Sequence, residues 1–138
     1  MKKNGFLLFL IPVLLLTFSS CKKWDEESGP TDIRIRNLSP HLFNDIYVDT
    51  SEDLSGSDEF DFGDLGPSQE TEYHRFKKAY RQALLKITID GTRYTFTPVS
   101  YTYEVYLGRG KFTYEVWTEE TGGMKLNMRV GDDKYPLD

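Results

Sequence analysis

Asp90-Gly91 stands between two runs of alternating apolar and polar residues, and this pattern constrains the fold more than any other feature. Residues 83–89 read Ala-Leu-Leu-Lys-Ile-Thr-Ile, and residues 92–96 read Thr-Arg-Tyr-Thr-Phe. Alternation with period two is typical of a half-buried strand. Asp-Gly favours a two-residue type I′ hairpin, because both central positions of that turn need positive φ. The predicted register joins two apolar pairs: Ile87 with Tyr94, and Leu85 with Phe96.

Similar alternation predicts strands elsewhere in the chain. Residues 32–37 place two isoleucines on one face and two arginines on the other, and residues 44–50 repeat the pattern after a turn at 37–40. Residues 49–59 are polar and acidic and are predicted as a loop. Further strands are expected in Phe60–Leu65, on both sides of Gly108–Gly110, and around Gly122-Gly123. In the strand after Gly110, one face carries Phe112, Tyr114 and Val116.

Two segments have an alternative interpretation: residues 71–80 and the loop of the last hairpin. In residues 71–80 several aromatic residues recur at helical spacing, but we favour a strand because the residues that follow alternate. In the last hairpin, a loop one residue longer than Gly122-Gly123, with a bulge at glycine, is preferred because it keeps apolar residues opposite each other. That register joins Val116 with Val130, and Thr118 with Met128.

Composition supports a β fold. Phe and Tyr number nine each, and Ala occurs only at 79 and 83, whereas long helices usually contain more alanine. We therefore predict an all-β chain with a single antiparallel β-sandwich of about seven or eight strands. The predicted domains are residues 1–20 as a signal peptide, 21–30 as a tether and 31–137 as the sandwich.

The N-terminus has the features of a secretory leader. Lys2 and Lys3 precede an apolar run from Phe6 to Phe18, interrupted only by a proline and a threonine. The run is shorter than the roughly 20 apolar residues that a transmembrane helix requires. A short positive segment followed by such a run is typical of a signal peptide.

The single cysteine lies where this leader ends. Phe18-Ser19-Ser20-Cys21 has the order that lipoprotein signal peptidase accepts, which is a large apolar residue, two small residues and cysteine. The predicted modification is a thioether from Cys21 to diacylglycerol, which anchors the chain in a membrane. The alternative is a free cysteine, or one in an intermolecular disulfide, in an ordinary secreted protein.

The charged stretch Cys21–Glu27 resembles the export signal of surface-exposed outer-membrane lipoproteins of the Bacteroidetes type. Residues 62–101 carry a second resemblance, to small lipoproteins of that group with uncharacterised function. The matching motifs are Gly63-Asp64-Leu65, Thr71-Glu72-Tyr73, Phe76–Tyr80, Ile89-Asp90-Gly91 and Pro98–Tyr101. The resemblance implies a β fold and a location on the outer membrane, exposed at the cell surface. It implies no catalytic residue and no ligand.

The charge balance argues against nucleic acid as a partner. The chain has 17 Lys and Arg against 22 Asp and Glu, a net charge of −5, and the balance becomes more acidic once Lys2 and Lys3 are removed with the leader. Nucleic-acid binding instead requires a basic surface.

Few residue patterns indicate catalysis or metal binding. Cys21 is predicted to be acylated, and His41 and His74 are predicted to lie on the surface, away from any metal-binding spacing. Asp49, Ser51 and Asp53 have the spacing of the first three EF-hand ligands. However, Leu replaces the required glycine and Phe60 the required glutamate, so a solvated acidic loop is favoured over a calcium site. No cofactor, no metal and no catalytic residue are predicted.

The tyrosines of the second half are the candidate ligand-binding residues. Tyr101 and Tyr103 share one strand face and Tyr106 lies on the other, so one set is expected in the core and the other exposed. Exposed rings can stack on sugars or anchor a protein. The predicted function is a lipid-anchored, non-catalytic surface protein that binds or scaffolds a glycan or protein ligand. An enzyme inhibitor or accessory lipoprotein of the envelope is the alternative, and a hydrolase is the third choice.

Overall fold

The computed structural model describes residues 29–99 and 106–131, which form eight β-strands and no helix. The strands are β1 (Thr31–Asn37), β2 (Phe43–Asp49), β3 (Glu59–Leu65), β4 (His74–Phe76), β5 (Leu84–Ile89), β6 (Thr92–Phe96), β7 (Gly110–Glu119) and β8 (Lys125–Val130). The leader, the tether with Cys21, and Tyr101 and Tyr103 lie outside the described residues. In the described ranges no helix is long and apolar enough to cross a membrane.

The strands form two sheets, with strand orders β4-β1-β7-β8 and β3-β2-β5-β6, which confirms the all-β sandwich. The strand pairs are antiparallel except β1 and β7, which run parallel from Thr31 opposite Gly110 to Asn37 opposite Val116. The sequence predicted only antiparallel strands. A parallel pair needs a long crossover connection, and here that connection passes through the other sheet, which local sequence patterns do not report.

The open sides of the sandwich are closed in two ways. On one side the edge strands β3 and β4 meet through rings, since Phe62 lies 6.3 Å from Phe76 and T-shaped against His74. On the other side β6 contacts β8. The two sheets therefore face each other with β3 over β4 and β6 over β8.

The core lies between the sheets and comes from the inward positions of the alternating strands. Ile33 and Ile35 are fully buried, whereas Arg34 and Arg36 are only half-buried, as their alternation predicted. The predicted apolar face of β7 is also buried. The largest fully buried side chains include Tyr114, Phe43, Phe76 and seven isoleucine, leucine or valine residues of β1, β2 and β5, with Ile89 among them.

The hairpin at Asp90-Gly91 is confirmed. Asp90 has φ of 49° and Gly91 has φ of 80°, so both turn residues occupy the left-handed region. Leu85 pairs with Phe96 and Ile87 with Tyr94, in the predicted register.

The register predicted for the last hairpin is wrong. Val116 pairs with Met128, and Thr118 with Leu126, and the pairing runs without a bulge into a five-residue loop at 120–124. This register keeps apolar residues opposite each other on the core face. On the outer face, this register pairs acidic residues with basic ones: Glu115 with Arg129, and Glu119 with Lys125.

Residues 71–80 contain a strand rather than a helix, but the strand is only three residues long. His74–Phe76 pairs antiparallel with β1. Before it, the amide of Thr71 donates to the carbonyl of Ile35 at 2.9 Å, so this segment extends the same sheet edge. After it, residues 77–83 are irregular because their backbone groups bond to side chains and loops.

Candidate functional site

The acidic loop at residues 50–58 is organised by a buried carboxylate. Asp49 is fully buried at the end of β2. Its Oδ1 accepts hydrogen bonds from the amide and hydroxyl of Ser51 at 2.9 and 2.6 Å, and its Oδ2 accepts one from the amide of Gly56 at 2.9 Å. Both oxygens of Asp49 therefore accept hydrogen bonds from the loop itself and hold its two ends together. Among the described residues, no group of three or more His, Cys, Asp or Glu side chains is placed to hold a metal ion.

Asp58 attaches this loop to the segment after β4. Its Oδ2 accepts hydrogen bonds from the amide of Lys77 at 2.9 Å and from the hydroxyl of Thr50 at 3.2 Å. Between the loop and the segment lies an open groove of about 520 Å³. We call it the loop groove; its charged and aromatic lining residues are Glu52, Asp53, Asp58, Lys77, Lys78 and Tyr80.

Tyr106 contacts two lining residues of the loop groove, Tyr80 and Lys78, and carries an exposed aromatic ring. It is 42% exposed and stacks on Tyr80, with ring centroids 4.7 Å apart and planes 22° apart. The ammonium of Lys78 donates to the Tyr106 hydroxyl at 3.1 Å. Hydrogen bonding with the Tyr80 and Lys78 side chains lowers the pKa of Tyr106.

Of the three tyrosines predicted to bind ligand, the structure therefore describes one. Tyr106 is exposed, and it forms an isolated bridge with Tyr80 instead of belonging to a longer strand. Whether Tyr101 and Tyr103 point to the opposite face stays a prediction.

The basic residues of the segment 75–81 neutralise the acidic loop only in part. Arg75 pairs with Asp32 on β1 at 2.8 Å, away from the loop. The pKa of Lys78 is raised. The hydrogen bond with the Tyr106 hydroxyl is the larger cause, and the negative charge of Glu52 adds to it. The loop groove is therefore lined by charges of both signs.

Each of the two histidines contacts side chains of neighbouring segments of the fold. Nε2 of His41 lies 2.7 Å from Oε1 of Glu120, so the pair joins the turn after β1 to the loop between β7 and β8. His74 stacks on Phe60 with centroids 3.7 Å apart and meets Phe76 edge-on at 4.7 Å. Burial lowers the pKa of His74, which favours the neutral ring among these aromatic residues.

A second groove follows the open side of the sandwich between β3 and the segment that precedes β4. Its volume is about 710 Å³. We call it the seam groove; its aromatic and acidic lining residues are Phe60, Phe62, Tyr73, Asp61, Asp64, Glu70 and Glu72. Sequence reasoning assigned no role to these phenylalanines. The signal that could have found them is Phe60-Asp61-Phe62, which puts two rings on one face of a strand flanked by acidic residues.

No family model matches the chain, and no curated protein matches it. Among solved structures, the fold is similar to an NMR structure of a protein from Eubacterium rectale, with a TM-score of 0.53 and 14% sequence identity. The similarity covers 78% of this chain and 95% of that one. At this identity the comparison supports the β-sandwich fold and nothing about activity.

Proposed function

We propose that the chain is a lipid-anchored, non-catalytic binding protein of the outer-membrane surface. The anchor is a diacylglycerol thioether on Cys21, and the ligand is a glycan or a protein that contacts Tyr106 beside the loop groove. Support for the anchor comes from the sequence Phe18-Ser19-Ser20-Cys21. Support for binding comes from the exposed tyrosine.

The stacked pair of Tyr80 and Tyr106 is the observation that carries the binding proposal. Tyrosine supplies a large, rigid contact surface at low conformational cost, because it has only two side-chain torsions. The stack on the buried Tyr80 and the hydrogen bond from Lys78 hold the Tyr106 ring in place before a ligand arrives. A sugar ring or an apolar side chain can lie against its exposed surface, while hydroxyl, carboxylate and ammonium groups of the loop groove offer hydrogen bonds.

A non-catalytic role is consistent with the way the carboxylates of the loop groove are used. Asp58 is engaged by the backbone of Lys77, and Asp53 accepts a hydrogen bond from the amide of Ser55 at 3.1 Å. Hydrogen bonding from Ser55 lowers the pKa of Asp53. A general acid in glycoside hydrolysis needs a raised pKa instead. These carboxylates are therefore assigned to shaping the loop and to ligand contact.

The anchor is tested by metabolic labelling with a clickable fatty acid. The wild-type protein should be labelled and should sediment with membranes, whereas Cys21→Ser should be unlabelled and should leave the membrane fraction. Ser28→Ala, in the same tether, is the control and should behave as wild type. Equal labelling of Cys21→Ser and wild type would disprove the anchor.

The binding role is tested with Tyr→Ala variants at 101, 103 and 106 on an array of glycans and surface proteins. Tyr106→Ala should keep the melting temperature and lose the ligand, because its ring is exposed. Tyr106→Phe keeps the stacked ring and should retain most of the binding. If Tyr106→Ala binds every ligand that wild type binds, the Tyr106 surface is not the binding site.

A further inference from the structure

The seam groove is acidic along its whole length. Two acidic residues lie on the β3 wall, Asp61 and Asp64, and two on the opposite wall, Glu70 and Glu72, and no Lys, Arg or His is among the residues that line it. Glu70 is already occupied by the guanidinium groups of Arg34 and Arg36, each at 2.9 Å. Within residues 29–99 and 106–131, no hydrogen bond or ion pair engages the side chains of Asp61 and Glu72. Asp64 accepts a hydrogen bond from the amide of Asp45 at 3.0 Å. Asp61 and Glu72 are therefore the residues of the groove that offer uncompensated negative charge to a ligand.

The floor of the seam groove offers an apolar surface beside this charge. Phe60 is 37% exposed although it is a large apolar side chain. One face of its ring is covered by His74, and its edge meets Phe62 at 4.9 Å, so the ring is held firmly. An exposed aromatic surface next to carboxylates suits a lysine or arginine side chain, whose stem packs on the ring while its charge reaches the carboxylates.

The shape of the groove favours an extended ligand. β3 is an edge strand, paired with β2 on one side, and no described strand lies on its other side. A free edge can accept the backbone of an added strand. Because the two unengaged carboxylates, Asp61 and Glu72, lie on opposite walls, a ligand that satisfies both must carry two spaced cations, which a single small cation does not.

We propose that the seam groove is a docking site for an extended, lysine- or arginine-bearing segment of a partner protein. The segment lies along β3, packs an aliphatic stem on Phe60 and places its cations against Asp61 and Glu72. This site is separate from the Tyr106 surface and does not depend on the lipid anchor, so each proposal can fail without the other.

The test uses the full-length protein in a neutral detergent and a fluorescein-labelled decapeptide of alternating Lys and Thr, read by fluorescence anisotropy at low salt. We expect this peptide to bind and an alternating Glu-Thr decapeptide not to bind. The double variant Asp61→Asn/Glu72→Gln should bind the Lys-Thr peptide about twofold to thirtyfold more weakly, because it loses two exposed ion pairs. Added salt should weaken wild-type binding, because the charges are screened.

The matched control is Glu52→Gln/Asp90→Asn, which removes the same number of charges from exposed positions outside the seam groove. This control should bind like wild type, and both double variants should keep the wild-type melting temperature, since all four side chains are exposed at the surface or at a groove. Equal weakening in the two double variants would mean a response to net charge alone and would overturn the site. Equal affinity for a Lys-Thr peptide N-methylated at alternate residues would overturn the placement along β3, because that peptide keeps its charges and loses backbone donors.

Discussion

The hydroxyl of Tyr114 donates a hydrogen bond to the backbone carbonyl of Tyr80 at 2.6 Å. Tyr114 is fully buried in the middle of β7, and Tyr80 belongs to the irregular segment that forms one wall of the loop groove. The bond therefore joins the core directly to the residue on which the exposed Tyr106 stacks. The candidate ligand surface is positioned by a core residue and not by the loop alone.

Tyr114→Phe tests this connection. The substitution keeps the ring and removes the hydroxyl that donates to the Tyr80 carbonyl, so the free energy of unfolding should fall by about 1 kcal/mol. Chemical denaturation measures the change, and hydrogen exchange should show faster opening near Tyr80. An unchanged stability would mean that another group satisfies this carbonyl.

Thr118→Val should stabilise the protein. Oγ1 of Thr118 is the one buried side-chain oxygen or nitrogen in the described residues without a hydrogen-bond partner. Valine has nearly the same shape and removes the unsatisfied hydroxyl, so stability should rise by about 1 kcal/mol. The matched control is Thr113→Val, five residues earlier in β7 and on the opposite face of the strand. The Thr113 hydroxyl accepts a hydrogen bond from Nε of Arg34 at 2.9 Å, so the same substitution there should destabilise. Equal effects at the two positions would contradict the assignment.

Gly91→Val should destabilise through backbone conformation. Gly91 has φ of +80°, and a Cβ atom placed there would meet no atom within 4 Å, so the expected cost comes from the backbone conformation. A β-branched residue resists positive φ, and the thermal midpoint should fall with a loss of about 1 kcal/mol or more. Gly91→Asn should be tolerated better, because asparagine enters the left-handed region more easily. Thr92→Val, in the adjacent strand position, controls for the added valine. If Asn and Val are equally harmful at position 91, the cost does not come from φ.

Glu115 should contribute to the pH dependence of stability. Its carboxylate lies 2.9 Å from both Arg129 and Arg36, and hydrogen bonds from Arg129 and then Arg36 lower its pKa. The folded pKa is thus below the unfolded value of about 4.3, so the stabilisation is complete above that value and is lost as the pH falls through the lowered pKa. Glu115→Gln should cost about 1 kcal/mol at neutral pH, and the difference from wild type should shrink in acid.

Denaturation curves from neutral pH down to acid measure this effect. Glu52→Gln, on the exposed loop, controls for the loss of one surface charge. A difference between wild type and Glu115→Gln that stays constant down to the acid transition would show that ionisation of Glu115 is not the cause.

The register of the last hairpin shows where sequence reasoning reached its limit. Pairing Val116 with Val130 and pairing it with Met128 both bring apolar residues together, so hydrophobic pattern alone cannot separate them. The charges of the outer face make the distinction, since Glu119 and Lys125 are opposite each other, 3.4 Å apart, only in the observed register. The Asp90-Gly91 hairpin had no such ambiguity, because its turn chemistry and its apolar pairs indicate one register.

The surroundings of Tyr106 also could not be predicted from local sequence patterns. The sequence did not decide whether Tyr106 or the pair Tyr101 and Tyr103 is exposed. Tyr106 is exposed in the structure, and its partners Tyr80 and Lys78 are more than twenty residues away and meet it only through packing. The seam groove was not predicted, because its two walls belong to edges of different sheets.

Local patterns in the sequence determined the strands, the inward faces and the hairpin at Asp90-Gly91, because each depends on residues close together in the chain. The lipidation of Cys21 rests on the same kind of local pattern and stays a prediction. Tertiary structure decided which strands became neighbours. Ile35 lies beside Tyr114 in a parallel pair, across a connection that passes through the other sheet. The same assembly created the edges, grooves and stacked tyrosines. These features depend on how two sheets pack their buried faces, and the alternation along a single strand is the same for many such packings.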